Sequence, residues 1–235
     1  MTVKPAAMPI MATNMRFLLP GAVKASRNGF FFVLDRITGE RLVSRPFIEI
    51  NWASGVDAKG HPVRKTDLDP RPDGALVEPS SGGSTNWLAP SFDPLTRLFY
   101  VSARRVFSIF YLTATGKAEG WGGRDRDLWS SGALRALDYR TGQPVWDHAL
   151  GDGEGSAGIL TTAGNLLFTA DASGNLLALD PSNGRTLWHL YAGGNMENGP
   201  TTYELDGRQY VLMAVEDSLY AFALPPSAGS AAESH

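Results

Sequence analysis

Short apolar runs, each stopped by an Asp, Asn or Gly, set the rhythm of this chain. Phe30-Phe31-Phe32-Val33-Leu34 ends at Asp35, and Leu176-Leu177-Ala178-Leu179 ends at Asp180. Runs this short, closed by turn residues, predict strands rather than helices. No segment combines the length, capping residue and 3.6-residue period of a helix. Thr201-Thr202-Tyr203-Glu204-Leu205 and Gln209-Tyr210-Val211-Leu212 flank Asp206-Gly207. Asp-Gly between apolar strands predicts a two-residue hairpin, because both central positions need positive φ. Gly164-Asn165-Leu166-Leu167-Phe168-Thr169-Ala170, running into Ala172-Ser173-Gly174-Asn175, predicts another.

Three of these stretches are copies of one another. Val33-Leu34-Asp35-Arg36-Ile37-Thr38-Gly39, Ala136-Leu137-Asp138-Tyr139-Arg140-Thr141-Gly142 and Ala178-Leu179-Asp180-Pro181-Ser182-Asn183-Gly184 share the pattern apolar-Leu-Asp-x-x-(Thr/Asn)-Gly. Trp146 and Trp188 each stand four residues after the Gly of their copies. The Asp side chain can accept backbone N–H bonds across the turn, and Gly supplies the positive φ that ends it. A Trp on the next strand can fill the space between neighbouring sheets. Asp138 and Asp180 are 42 residues apart, and strand-rich repeats of about 40–45 residues read as propeller blades.

The predicted fold class is therefore all-β, a partial β-propeller of three to four four-stranded blades. They fall at about 22–50, 84–150 with an insertion around 104–131, 155–192, and a partial one at 198–224. The stretch 51–83, rich in Gly, Pro and Asp, reads as connection. Residues 1–23 form an atypical N-terminal segment with a poor signal-peptide pattern, 24–224 the propeller, and 225–235 a small, polar, frayed tail. A propeller hides its edges by closing into a ring. Three and a half blades fall short of one, so a missing propeller half or self-association is expected.

Composition narrows the chemistry. The chain has 26 Gly and 15 Pro in 235 residues, which fits many turns and disfavours a helical bundle. Its net charge is −3 and its 21 Lys and Arg are scattered, so it carries no nucleic-acid footprint. It contains no Cys, which excludes disulfides, thiolate metal sites and a Cys nucleophile. No apolar run approaches the ~20 residues of a transmembrane helix. His61, His148, His189 and His235 show no metal spacing. Asp125, Arg126 and Asp127 lie in a Gly-rich insertion that reads as a solvated loop, and Glu154 reads as a loop charge.

Three segments carry a more specific signal. Ser26-Arg27-Asn28-Gly29-Phe30-Phe31-Phe32-Val33-Leu34-Asp35-Arg36 is the first. Thr85-Asn86-Trp87-Leu88-Ala89-Pro90-Ser91-Phe92-Asp93-Pro94, followed by Leu98-Phe99-Tyr100-Val101, is the second. Gly158-Ile159-Leu160-Thr161-Thr162-Ala163-Gly164-Asn165-Leu166-Leu167-Phe168 is the third. In this order, and with the Trp repeats, they resemble the C-terminal half of the pyrroloquinoline quinone (PQQ) dependent alcohol dehydrogenases, eight-bladed propeller quinoproteins. The resemblance runs from about residue 24 to 224.

The resemblance implies PQQ as cofactor, Ca²⁺ or a similar ion beside it, an alcohol or sugar as substrate, and a periplasmic location. Arg27 matches the cation that contacts the quinone oxygen, Asn86 a residue bonding the cofactor's edge, and Trp87 an aromatic lining the pocket. Without the resemblance, Arg27 reads as a surface arginine before a strand, Asn86 as a turn residue, and Trp87 as a core Trp between blades. The family's catalytic Asp lies in a His-Asp-x-Trp-Asp stretch upstream of the Arg-Asn-Gly segment, and residues 1–23 hold nothing like it. The metal ligands also belong to the half not matched here, so no catalytic or metal-binding residue is assigned in this chain. Where some members carry an aromatic before the Gly-rich segment, this chain has Gly155-Ser156-Ala157. Two functions follow: the cofactor-binding portion of a quinoprotein dehydrogenase, inactive alone, or a non-catalytic propeller used as a protein-interaction scaffold.

Overall fold

The computed structural model describes residues 21–113, 123–152 and 157–224. The strands are β1 (Gly21–Ala25), β2 (Phe30–Asp35), β3 (Arg41–Pro46), β4 (Ala53–Val56), β5 (Pro62–Arg64), β6 (Ala75–Val77), β7 (Ser91–Asp93), β8 (Leu98–Leu112) and β9 (Gly123–Asp138). They continue as β10 (Pro144–Asp152), β11 (Leu160–Thr161), β12 (Leu167–Ala170), β13 (Asn175–Leu179), β14 (Thr186–Tyr191), β15 (Thr201–Leu205), β16 (Arg208–Val215) and β17 (Ser218–Phe222). The helical content among the described residues is one 3₁₀ turn, Thr66–Leu68.

Four antiparallel sheets follow one another along the chain as propeller blades. The first is β1-β2-β3, the third β11-β12-β13-β14 and the last β15-β16-β17. The second, β10-β9-β8, carries β7 and β6 along the free edge of β8. Strand alternation explains how the sheets stack, since successive side chains point to opposite faces. Phe99, Val101 and Leu137 turn toward Phe31 and Val33 of the first sheet. Their neighbours Leu98, Tyr100, Leu134 and Ala136 turn toward Leu167, Leu177 and Leu179 of the third. Ala170 and Leu176 then meet Met213 and Val215 of the last.

The repeated turns form as the pattern predicts. Asp35 Oδ1 accepts the N–H of Ile37 and of Thr38 at 2.8 Å. Asp138 Oδ1 accepts those of Arg140 and Thr141 at 2.9 Å, and Asp180 Oδ1 that of Ser182 at 2.9 Å. Gly39, Gly142 and Gly184 all take positive φ. The Asp206-Gly207 hairpin pairs Leu205 with Arg208, with φ of 51° and 74° at its centre. The two repeat tryptophans part company. Trp146 packs on Tyr100 and donates its indole N–H to Pro181 O at 3.2 Å. Trp188 sits edge-on to Phe222 and stays 44% exposed, because the last sheet brings no repeat turn for it to cover.

Several expectations need correction. The stretch 51–83 is more than connection: β4 and β5 form a hairpin and β6 pairs with β8. The supposed insertion is an extension of β8 and β9, which stay paired out to Leu112 and Gly123. Asp125, Arg126 and Asp127 are therefore strand residues, not loop residues. Alternating charges hid this strand, whose first side chains lie mostly at the surface and leave no apolar stripe. Among the described residues the first sheet has three strands, and the last, expected to be partial, has three as well. Among the described residues the first strand begins at Gly21. Residues 1–20 and 225–235 lie outside the described residues, as do Glu154, Gly155, Ser156 and His235.

Candidate cofactor site

Arg27 occupies the tight turn between β1 and β2. Ser26 N donates to Phe30 O at 2.9 Å, and Gly29 takes φ +89° to complete the turn. The Arg27 side chain is exposed, and its Nη2 donates to Ser81 O at 2.5 Å. The Arg27 carbonyl in turn accepts Ser84 N–H at 2.9 Å. A strap of residues 80–84 thus lies directly on Arg27. Gly83 is required there, since a Cβ would stand 2.6 Å from Arg27 O and φ is +84°.

Asn86 and Trp87 follow that strap immediately. Asn86 is exposed and Trp87 is 62% exposed, so Trp87 is not a core residue between blades. Beyond them, Ala89 O accepts Ile159 N–H at 2.9 Å. Gly158 lies against Gly199, whose Cα would be 2.8 Å from a Cβ at 158. Ser102 Oγ donates to Ala157 O at 2.7 Å. The three segments singled out in the sequence are therefore stitched into one strip across the sheets, from Arg27 through Ser84 and Ala89 to Gly158.

A cleft of about 430 Å³ opens beside Arg27. Trp52, Leu68, Pro79 and Phe110 give it apolar walls; Arg27, Arg64 and Lys65 bring positive charge and Asp69, paired with Arg64, one carboxylate. Trp52 is fixed by its indole N–H bond to Asn28 O at 3.1 Å and by an edge contact with Phe30. The hydroxyls of Ser80 and Ser84 are buried and find no hydrogen-bond partner among the described residues. Arg27 and Ser80 line this cleft, whereas Ser84, Asn86 and Trp87 do not. The exposed Arg27 guanidinium and the buried Ser80 hydroxyl are donors that suit an anionic ligand. A cation site is a different matter. Among the described residues no three His, Asp or Glu side chains gather around one point.

Sequence reasoning passed over the strap. Ser80-Ser81-Gly82-Gly83-Ser84 looks like linker, and only the demand for Gly at 83 marks it as a close backbone crossing. It also missed Glu78, which is buried at 4% exposure and held by Arg105 through Nε at 2.7 Å and Nη2 at 3.2 Å. Arg105 also pairs with Glu49, and these partners raise its already high pKa further, the Glu78 hydrogen bond first. Among the described histidines none sits in a metal cluster; His148 Nδ1 lies 2.9 Å from Gly184 O, a contact between sheets.

Comparison with known proteins shows what the chain is similar to. Over 92% of its length the chain is 36% identical to the 1-butanol dehydrogenase (quinone) of Thauera butanivorans, covering 38% of that protein. It is 34% identical to the quinoprotein ethanol dehydrogenase of Pseudomonas aeruginosa, over 92% of this chain and 37% of that one. Among solved structures, the quinohemoprotein alcohol dehydrogenase of Comamonas testosteroni superposes with a TM-score of 0.74 at 32% identity, over 82% of this chain and 31% of that one. A europium-containing methanol dehydrogenase gives 0.70 at 28% identity, over 83% and 36%. Residues 130–224 also match the family described as Outer membrane protein assembly factor BamB. That match spans only the later blades and leaves out Arg27, Asn86 and Trp87.

A propeller sector with these relatives belongs to the quinoprotein alcohol dehydrogenase family. The chain spans a little over a third of the length of the curated relatives it matches.

Proposed function

We propose that this chain is the cofactor-binding sector of a periplasmic PQQ-dependent dehydrogenase that oxidises alcohols or sugars. The supporting observation is the bond from Ser84 N to Arg27 O, which ties the strap leading to Asn86 and Trp87 onto the Arg27 turn. The quinone, when bound, supplies a two-electron acceptor for hydride. Arg27 holds a permanent positive charge toward a quinone oxygen. Asn86 donates and accepts at the cofactor's edge, and Trp87 shields a flat face from water. The buried Ser80 and Ser84 hydroxyls keep the turn polar beneath Arg27.

The 235 residues contain no counterpart of the family's His-Asp-x-Trp-Asp base segment. On its own this chain is accordingly expected to bind PQQ without turning over alcohol. Calorimetric titration with PQQ tests this, with Arg27→Ala as the comparison. Saturable binding lost in the variant supports the reading. Alcohol-dependent dye reduction by the pure chain with PQQ and Ca²⁺ contradicts the inactivity.

The match of residues 130–224 to an assembly-factor family favours a second reading, an interaction scaffold. Identical titrations of wild type and Arg27→Ala, both without saturation, favour that reading.

A further inference from the structure

The cleft beside Arg27 is framed by hydrogen bonds between stretches far apart in sequence. Asn51 N–H donates to Glu78 O at 3.1 Å, and Glu78 N–H donates back to Asn51 Oδ1 at 2.8 Å. These bonds tie together the residues just before Trp52 and Pro79, two of the apolar walls. Lys65 N–H donates to Trp52 O at 2.8 Å, which joins the start of the 3₁₀ turn to the same frame. The Trp52 indole is itself pinned to Asn28 O. The walls are therefore set in place by the chain's own bonds. The volume of about 430 Å³ lies within the ~300–1,000 Å³ of small-molecule sites.

The charges around it are unequal. Three cations line the cleft against one carboxylate, in a chain whose net charge is −3. Arg64 is paired with Asp69, and the Arg27 guanidinium bonds to Ser81 O. Lys65 is exposed, and its ammonium has no hydrogen-bond or ion-pair partner among the described residues. Glu78, next to Pro79, is neutralised by Arg105. Ser80 lines the cleft at 5% exposure, with its hydroxyl unpaired among the described residues. A buried hydroxyl without a partner costs free energy, which a ligand atom within reach recovers. An unpaired ammonium, a buried unpaired hydroxyl and fixed aromatic walls together match one chemistry. It is an acidic group carried on a flat apolar body.

We propose that this cleft is a second binding site, separate from the quinone strip, for a small organic anion with one acidic group on a flat apolar body. Lys65 meets the charge, Ser80 supplies a buried hydrogen-bonding group, and Trp52 and Phe110 cover the flat body. Lys65 decides the site, because the other two cations already have partners. Asn86 and Trp87 do not line the cleft, so this site stands or falls separately from the cofactor reading.

Calorimetric titration of the full chain with cinnamate, without PQQ, tests it. Saturable binding is expected, and cinnamyl alcohol, of the same shape but uncharged, should bind roughly ten-fold more weakly. Lys65→Gln is expected to weaken cinnamate about ten-fold, the loss of one charge-assisted hydrogen bond. Lys65 is exposed, so the variant keeps its near-ultraviolet circular dichroism. Lys59→Gln removes an exposed lysine outside the cleft and leaves the affinity unchanged. A chain that binds cinnamate through Lys65 but takes up no PQQ keeps this site and loses the cofactor reading. Absence of saturable binding overturns the proposal, as does equal affinity for cinnamyl alcohol or for Lys65→Gln. So does PQQ that displaces cinnamate and itself binds about ten-fold more weakly to Lys65→Gln, because the cleft is then the quinone's own seat.

Discussion

The indole of Trp146 closes over Gly184: a Cβ added at Gly184 would stand 2.6 Å from the ring. This contact joins the second blade's Trp to the third blade's turn. Gly142 is covered in the same way, by Phe31 and Arg45 of the first blade. The repeat is thus a device between blades, in which the Gly of one turn leaves room for a side chain of the preceding sheet. Gly184→Ala forces a left-handed alanine against that ring, and is expected to cost about 2–4 kcal/mol. Gly39→Ala meets no atom within 4 Å, so it is expected to cost only the backbone contribution, about 1–2 kcal/mol. Urea unfolding of both variants measures the difference.

The Glu78 carboxylate depends on Arg105. Arg105→Ala leaves a carboxylate that is 5% exposed without its bidentate partner. The expected loss is roughly 3 kcal/mol in urea unfolding. Arg105→Lys restores charge but not the paired donors, and should recover only part of it. Since Glu78 precedes the strap, Arg105→Ala is also expected to weaken quinone binding.

The turn aspartates make stability fall in acid. The carboxyl of Asp180 is held below its ordinary range chiefly by the Ser182 hydroxyl and N–H. That of Asp35 is lowered by the N–H groups of Thr38 and Ile37. A carboxylate whose pKa is depressed by folding stabilises the native state above its unfolded pKa, near ~4. That contribution disappears as pH falls through the lower, native value. Thermal unfolding temperature is expected to hold from about pH 7 to about 5 and to drop below about 4. In Asp180→Asn the acid drop should be shallower than in wild type.

Much of this fold was legible because turn chemistry is local. Asp35, Asp138 and Asp180 hydrogen-bond to residues just ahead of them in the turn, so their pattern survives in the bare sequence. The Asp206-Gly207 hairpin was readable for the same reason. The extension of β8 and β9 was not: Arg124 to Asp127 alternate in charge and stay largely at the surface, so no apolar stripe marks the strand. The strap over Arg27 was equally hidden. Ser81 reaches a residue 54 positions away, and only the folded chain shows why Gly83 must lack a side chain. Taken without the resemblance, Trp87 reads as a core Trp between blades, yet it stands exposed.

Asn86 separates binding from folding. It is exposed, so Asn86→Ala is expected to leave the unfolding midpoint unchanged. Loss of about 1 kcal/mol of hydrogen bonding corresponds to a roughly five-fold weaker PQQ affinity by calorimetry. Loss of midpoint without loss of affinity would assign Asn86 a structural role.

The most direct measurement is a crystal structure of this chain grown with PQQ. The quinone is expected against the strip from Arg27 to Trp87, with a ring oxygen within hydrogen-bond reach of the Arg27 guanidinium and the Asn86 amide. A quinone found elsewhere on the chain, with Arg27 still turned onto Ser81, would contradict the cofactor assignment.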